Sequence, residues 1–150
     1  MHPDVLFTIA FPLAAPFWLL MVVAPTWSVT RRIIGSPFVV VPPLLVYALA
    51  VIPQFGEVLA AVAQPTPAGV AALLATPVGA AAGWAHFIGF DLFVGRWMYL
   101  EARERGIHPL VMAPVLVLTI LLAPLGLLAY LIIRTATRAR TVDNDAMAVQ

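Results

Sequence analysis

Cysteine and lysine are both absent from this 150-residue chain. The first absence excludes disulfides, thiolate metal sites and cysteine nucleophiles. The second excludes Schiff-base chemistry on a lysine, because all eight basic residues are arginine. Charge is scarce as well, at 10% of residues, while 63% are hydrophobic. A soluble domain is about half apolar and about a quarter charged, so this chain lacks the polar surface that a water-soluble fold of its size needs. A net charge of +1 gives no footing for nucleic-acid binding. No basic run precedes the first apolar stretch, which therefore reads as a span and not as a cleaved signal. No internal repeat of the inverted-transporter kind is visible.

What the chain does have is long apolar runs, and a bilayer crossing takes about 20 such residues. They predict an all-α integral membrane protein with four transmembrane helices, at 5–25, 33–52, 80–100 and 110–133. A short interfacial helix at 68–75 is expected between the second and third spans, and a polar, disordered tail at 135–150. Pro12 and Pro16 share one face of the first span and free the carbonyls of Thr8 and Pro12, so that face is expected to point inward. Pro37, Pro42 and Pro43 should kink the second span, and the prolines of 53–79 should break any further one.

The arginines test this topology. With four spans, Arg31, Arg32, Arg103 and Arg105 share the cytoplasmic side, and the arginine-free 53–79 stretch lies outside. Arg134, Arg138 and Arg140 then fall on the wrong side. Five spans would repair this only by forcing the proline-broken stretch across the bilayer.

The third span carries the chemistry-bearing residues. Asp91 lies near its centre, where a charge costs about 2.5–3.5 kcal/mol, so an ionisable group there is a functional candidate. His86 precedes it by about 7.5 Å along the axis and is turned about 140° away. One stripe of this helix is His86, Phe90, Phe93 and Trp97; another is Trp84, Ile88, Asp91 and Gly95. A ligand or a neighbouring helix could lie between them and touch both polar groups. Each also has a plainer reading: Asp91 as an arginine's partner, His86 as an interhelical donor, the aromatic stripe as core and Arg96 as an anchor at the interface. His2 and His108 read as loop residues. No His-x-x-His or Glu-x-x-His pair is present, so no metal is expected. In the fourth span Thr119, Ala123, Gly126 and Tyr130 form a small-residue stripe suited to close packing.

The third-span pattern His86-x4-Asp91-Leu92-Phe93-x-x-Arg96 resembles the abscisic-acid-deficient-four family of membrane proteins. The likeness extends to Ala24-Pro25-x-Trp27, Thr30-Arg31-Arg32, Gly83-Trp84-Ala85-His86 and Ala123-Pro124-Leu125-Gly126-Leu127-Leu128. The resemblance implies a small four-span domain that acts on a carotenoid. The plant member is tied to converting an epoxy-carotenoid, violaxanthin, into allenic neoxanthin. That isomerisation gives a proton to the epoxide oxygen and removes one from the polyene.

The resemblance thus implies His86, Asp91 and Arg96 as catalytic residues, with Trp84, Phe90, Phe93 and Trp97 holding the polyene in a lateral cleft. No cofactor is implied. The implied partners are a carotenoid or similar polyene lipid and the bilayer, with homo-oligomerisation left open. The arginine-only basic set suits a bacterial source and its cytoplasmic membrane, where the substrate could be another carotenoid and the reaction another conversion, oxidative cleavage included. Two alternatives stand beside the enzyme: a non-catalytic carotenoid-binding or assembly protein, and a small proton or ion carrier that uses Asp91.

Overall fold

The computed structural model describes residues 2–148, with side chains described as far as Thr137. Among the described residues every regular element is a helix: α1 (Pro3–Val23), α2 (Ser28–Gly35), α3 (Val41–Val51), α4 (Phe55–Ala63), α5 (Pro67–Leu74), α6 (Pro77–Glu104), α7 (Pro109–Leu121) and α8 (Ala123–Ala148). Short 3-10 turns at Pro37–Val40 and Ile52–Gln54 lead into α3 and α4. Three stretches are long and apolar enough to cross a membrane: α1, Pro37–Ala63 and α6. The chain is a helical membrane protein.

Proline starts these helices more often than it breaks them. Ser36, Thr66 and His108 each stand before a proline and cap the helix that follows. Their side chains accept from the backbone N–H of Phe38 at 3.3 Å, Gly69 at 3.0 Å and Leu110 at 3.2 Å. Thr76, before Pro77, accepts from Gly79 N–H at 2.9 Å and donates to the Leu73 carbonyl at 2.8 Å. Proline's missing N–H is harmless in a first turn and its fixed φ suits one. The second apolar stretch therefore runs on to Ala63, further than the proline-broken sequence suggests, and His108, a loop residue as expected, also caps α7. The short helix expected at 68–75 is α5.

The buried face of α1 is Leu6, Ala10, Ala14, Trp18 and Met21, at helical spacing. Pro12 and Pro16 are exposed on the other side, contrary to the inward face expected for them. Ala10 and Ala14 admit a neighbour closely, so they, and not the prolines, occupy the inner face. In α6 the buried stripe is Ala81, Ala85, Ile88, Leu92, Tyr99 and Ala102, while Phe87, Phe90 and Phe93 are exposed. Exposed phenylalanines on a span belong against lipid.

The stretch 110–133 is not one helix. α7 ends at Leu121 and α8 starts at Ala123, with Leu122 between them at φ −148° and ψ 73°. The two helices fold back on each other. A Cβ on Gly126 would overlap the Thr119 hydroxyl and stand 2.7 Å from Thr119 Cα, an approach that only glycine allows. The Leu122 N–H donates to Leu118, and its carbonyl accepts from Leu125 and Gly126, both at 3.0 Å, so the turn keeps these groups bonded. At 13 residues α7 reaches about 20 Å, short of a core of about 30 Å. The exposed leucines 121, 122 and 125 at the tip suit hydrocarbon. α7 and α8 thus form a helical hairpin within the stretch expected as the fourth span. Beyond it α8 continues to Ala148, into the stretch expected as a disordered tail; Val149 and Gln150 lie outside the described residues.

The chain divides into two compact units. One comprises residues up to Phe17 together with Ser36–Leu92; the other comprises Trp18–Gly35 and the residues from Phe93 onward. Every arginine of the sequence belongs to the second unit, and Asp4, Glu57 and Asp91 to the first.

Candidate functional site

The first unit contains a pocket of about 210 Å³. Its walls are Tyr47 and Val51 of α3, Gln54, Val58 and Val62 from the following turn and α4, Leu73 and Leu74 of α5, and Gly79, Ala82, Gly83 and His86 of α6. The hollow exists because α6 begins with small residues. At Gly79 a Cβ would overlap the Leu73 carbonyl, and at Gly83 it would stand 3.0 Å from Leu74 Cδ2. Small side chains there let α5 close over α6 and still leave space beside them.

His86 supplies the imidazole of this wall, and Tyr47 a phenol. Its imidazole stacks on Phe90, with ring centroids 4.7 Å apart and planes at 21°. Tyr47 stands tilted at 5.6 Å and Phe87 edge-on at 6.1 Å. Among the described residues His86 makes no hydrogen bond, so either ring nitrogen is open to a ligand. Gln54 donates from Nε2 to the Ala50 carbonyl at 3.1 Å, which leaves its amide oxygen as an acceptor beside the pocket. An apolar hollow with a few polar groups is the usual form of a small-molecule site.

The other expected site residues are placed differently. Asp91 is half-buried on α6 and does not line this pocket; among the described residues no hydrogen bond or ion pair reaches its carboxyl. Trp84 stacks on Phe7, at 5.4 Å and 22°. Phe90 supports the His86 ring from behind, and Phe93 is exposed. None of the four aromatics expected around a polyene lines the pocket.

Arg96 and Trp97 belong to the second unit. Arg96 donates from Nε to the Ile34 carbonyl and from Nη2 to the Gly35 carbonyl, both at 2.7 Å. It thereby caps the C-terminus of α2, where a cation also meets the negative end of the helix dipole. Trp97 packs edge-on against Tyr130 at 5.5 Å, and the Arg134 guanidinium lies over its ring at 5.9 Å. Tyr130 in turn donates to Glu101 Oε2 at 3.0 Å.

Tyr47 and Gln54 were not singled out in the sequence. They sit in other helices, and only the turn at Ile52–Gln54 brings them to one hollow. Their only sequence signal is two polar groups within a strongly apolar crossing.

Comparison with known proteins agrees with the sequence motifs. Protein ABA DEFICIENT 4, chloroplastic, from Arabidopsis thaliana is 28% identical over 108 residues, 68% of this chain. The match covers 49% of that relative, so the chain spans about half its length. No solved structure matches significantly. The family profile described as ABA DEFICIENT 4-like matches residues 5–130, and the chain belongs to that family.

Proposed function

We propose that this membrane protein binds a carotenoid or similar polyene and converts it by proton transfer, with His86 at the pocket wall as the proton-handling group. The observation that carries this reading is the open imidazole of His86, stacked on Phe90 in a largely apolar hollow. At about 210 Å³ the pocket is smaller than the ~300–1,000 Å³ of sites that enclose a drug-sized ligand. It would take one end of a long polyene, with the remainder along lipid-facing aromatics such as Phe87 and Phe90.

An isomerisation needs an acid and a base and no net oxidant. His86 would serve as one, Asp91 as the other, its carboxyl having no partner among the described residues. Arg96 would act at a distance from the chemistry, by fixing α2. The arginine-only basic set supports a bacterial cytoplasmic membrane as the location.

A second reading is a carotenoid-binding protein without catalysis, and the position of Asp91 off the pocket wall favours it. The test is pigment analysis of carotenoid-producing cells that express the wild type, His86→Gln and Ala82→Leu. A new pigment that disappears in His86→Gln supports conversion. Unchanged pigment that co-purifies with wild type and is lost in the pocket-filling Ala82→Leu supports binding alone. No new pigment and no co-purification would defeat both readings.

A further inference from the structure

We infer that the arginine-rich unit holds a phosphate anion between Arg31 of α2 and Arg103 of α6, beside Tyr99. The anion is a phosphodiester of a lipid headgroup or a free phosphate, which share this recognition chemistry. The site is separate from the His86 pocket and does not depend on what that pocket binds.

Its frame is well defined. The Tyr99 hydroxyl donates to the Pro25 carbonyl at 2.7 Å, just before α2, and Arg96 holds the other end of α2 through the Ile34 and Gly35 carbonyls. α2 is therefore pinned at both ends to the last turns of α6. Thr30 and Ile34 face inward from it, while Arg31 and Arg32 are exposed. Trp27, just ahead of it, is 54% exposed, as befits an aromatic at headgroup level. Arg103 lies four residues beyond Tyr99, one turn on along the same face of α6. The charges of Arg31 and Arg103 both bear on the Tyr99 phenol.

These two cations lack an anion. Glu101, the acidic group one turn from Arg105, is already held by Arg105 at 2.8 Å and Arg134 at 2.9 Å. No ion pair reaches Arg31 or Arg103 among the described residues. Two buried side-chain atoms there have no hydrogen-bond partner, Thr30 Oγ1 and Arg103 Nε, and they come from the two elements that carry these arginines. A buried guanidinium nitrogen without an acceptor is costly. A phosphate at the membrane surface would supply the acceptor oxygens and the opposite charge.

The test uses the full chain in nanodiscs of phosphatidylcholine, with and without phosphatidylglycerol, read by lipid retention in native mass spectrometry and by melting temperature. Wild type should retain phosphatidylglycerol and melt higher with it. Arg31→Gln and Arg103→Gln should each reduce retention several-fold, whereas Arg32→Gln, an equal loss of charge on the same helix, should not. Arg103→Lys, which keeps the charge, guards against misfolding and should retain part of the effect. Equal loss in all three glutamine variants would mean diffuse surface charge and would overturn the site. Inorganic phosphate added to phosphatidylcholine discs is the other arm. Stabilisation by it that Arg103→Gln removes would uphold the anion site and assign it to free phosphate.

Discussion

The Arg134 guanidinium lies 2.9 Å from Glu101 Oε1. Glu101 lies in the last turn of α6 and Arg134 near the end of the apolar part of α8, so the chain between them must turn back toward the end of α6. The hairpin at Leu122 is how it does so. With α8 turned back in this way, Arg134 would share the side of Arg103 and Arg105, and the charge conflict that a fourth span creates would be relieved.

Cysteine labelling checks this topology. Single cysteines at Glu104 and Thr137 should react from the same side of the membrane, and one at Gln64 from the opposite side. Four crossings predict Glu104 and Thr137 on opposite faces, and that result would sink the hairpin.

The turn of the hairpin rests on Gly126. Gly126→Val would drive a branched side chain into Thr119, which is buried and bonded to the Val115 carbonyl at 2.8 Å. Overpacking of this kind costs about 1–3 kcal/mol. Melting in detergent should show it, with Gly126→Ala intermediate. An unchanged melting temperature in Gly126→Val would mean that α7 and α8 do not approach there.

Much of this could be read in the sequence, and the failures have physical causes. Hydrophobic runs and the His86–Arg96 motif located α6 and the family. Apolar content is blind to a reversal within an apolar stretch: α7 and α8 are both strongly apolar, so 110–133 reads as one continuous helix, with Pro124 and Gly126 as hints of the turn. Proline suggests a break, although after Ser36, Thr66, Thr76 and His108 it opens a helix. Two of the three resemblance motifs outside α6 are joints: Pro25 receives Tyr99, and Gly126 receives Thr119. The pocket could not be read, because Tyr47, Gln54 and Leu73 meet His86 only through folding.

The ion pairs around Glu101 lend themselves to a double-mutant cycle. Glu101 is 15% exposed at its side chain and Arg134 37%. Partial exposure screens the pair, so the Glu101–Arg134 coupling should be modest, about 0.5–1 kcal/mol. Glu101→Gln alone should cost more than Arg134→Gln alone, because it also weakens the bonds from Tyr130 and Arg105. Equal single-variant losses would show that Tyr130 and Arg105 draw nothing from the carboxylate.

Arg96 separates positioning from chemistry. Arg96→Lys keeps the charge but not the paired reach to Ile34 and Gly35, so α2 should loosen. Faster hydrogen exchange at the amides of Ser28–Gly35 is the expected signature, with pigment conversion reduced no more than the protein's stability predicts. A variant of wild-type stability that had lost conversion outright would return Arg96 to the reacting group.

Asp91 decides between the two functional readings. Its carboxyl sits within a crossing and has no partner among the described residues, so Asp91→Asn removes a charge that the bilayer penalises and breaks no protein contact. The variant should insert and purify at least as well as wild type. If Asp91 works as the acid–base partner of His86, conversion should fall by about 10²-fold or more, the scale of a positioned acid or base, while pigment still co-purifies. His86→Gln should show the same loss with the same retained binding. Full conversion by Asp91→Asn with loss in His86→Gln would leave His86 as the sole proton-handling group. Full conversion by both variants would take proton transfer away from both residues and leave the polyene-binding pocket as the function of this part of the chain.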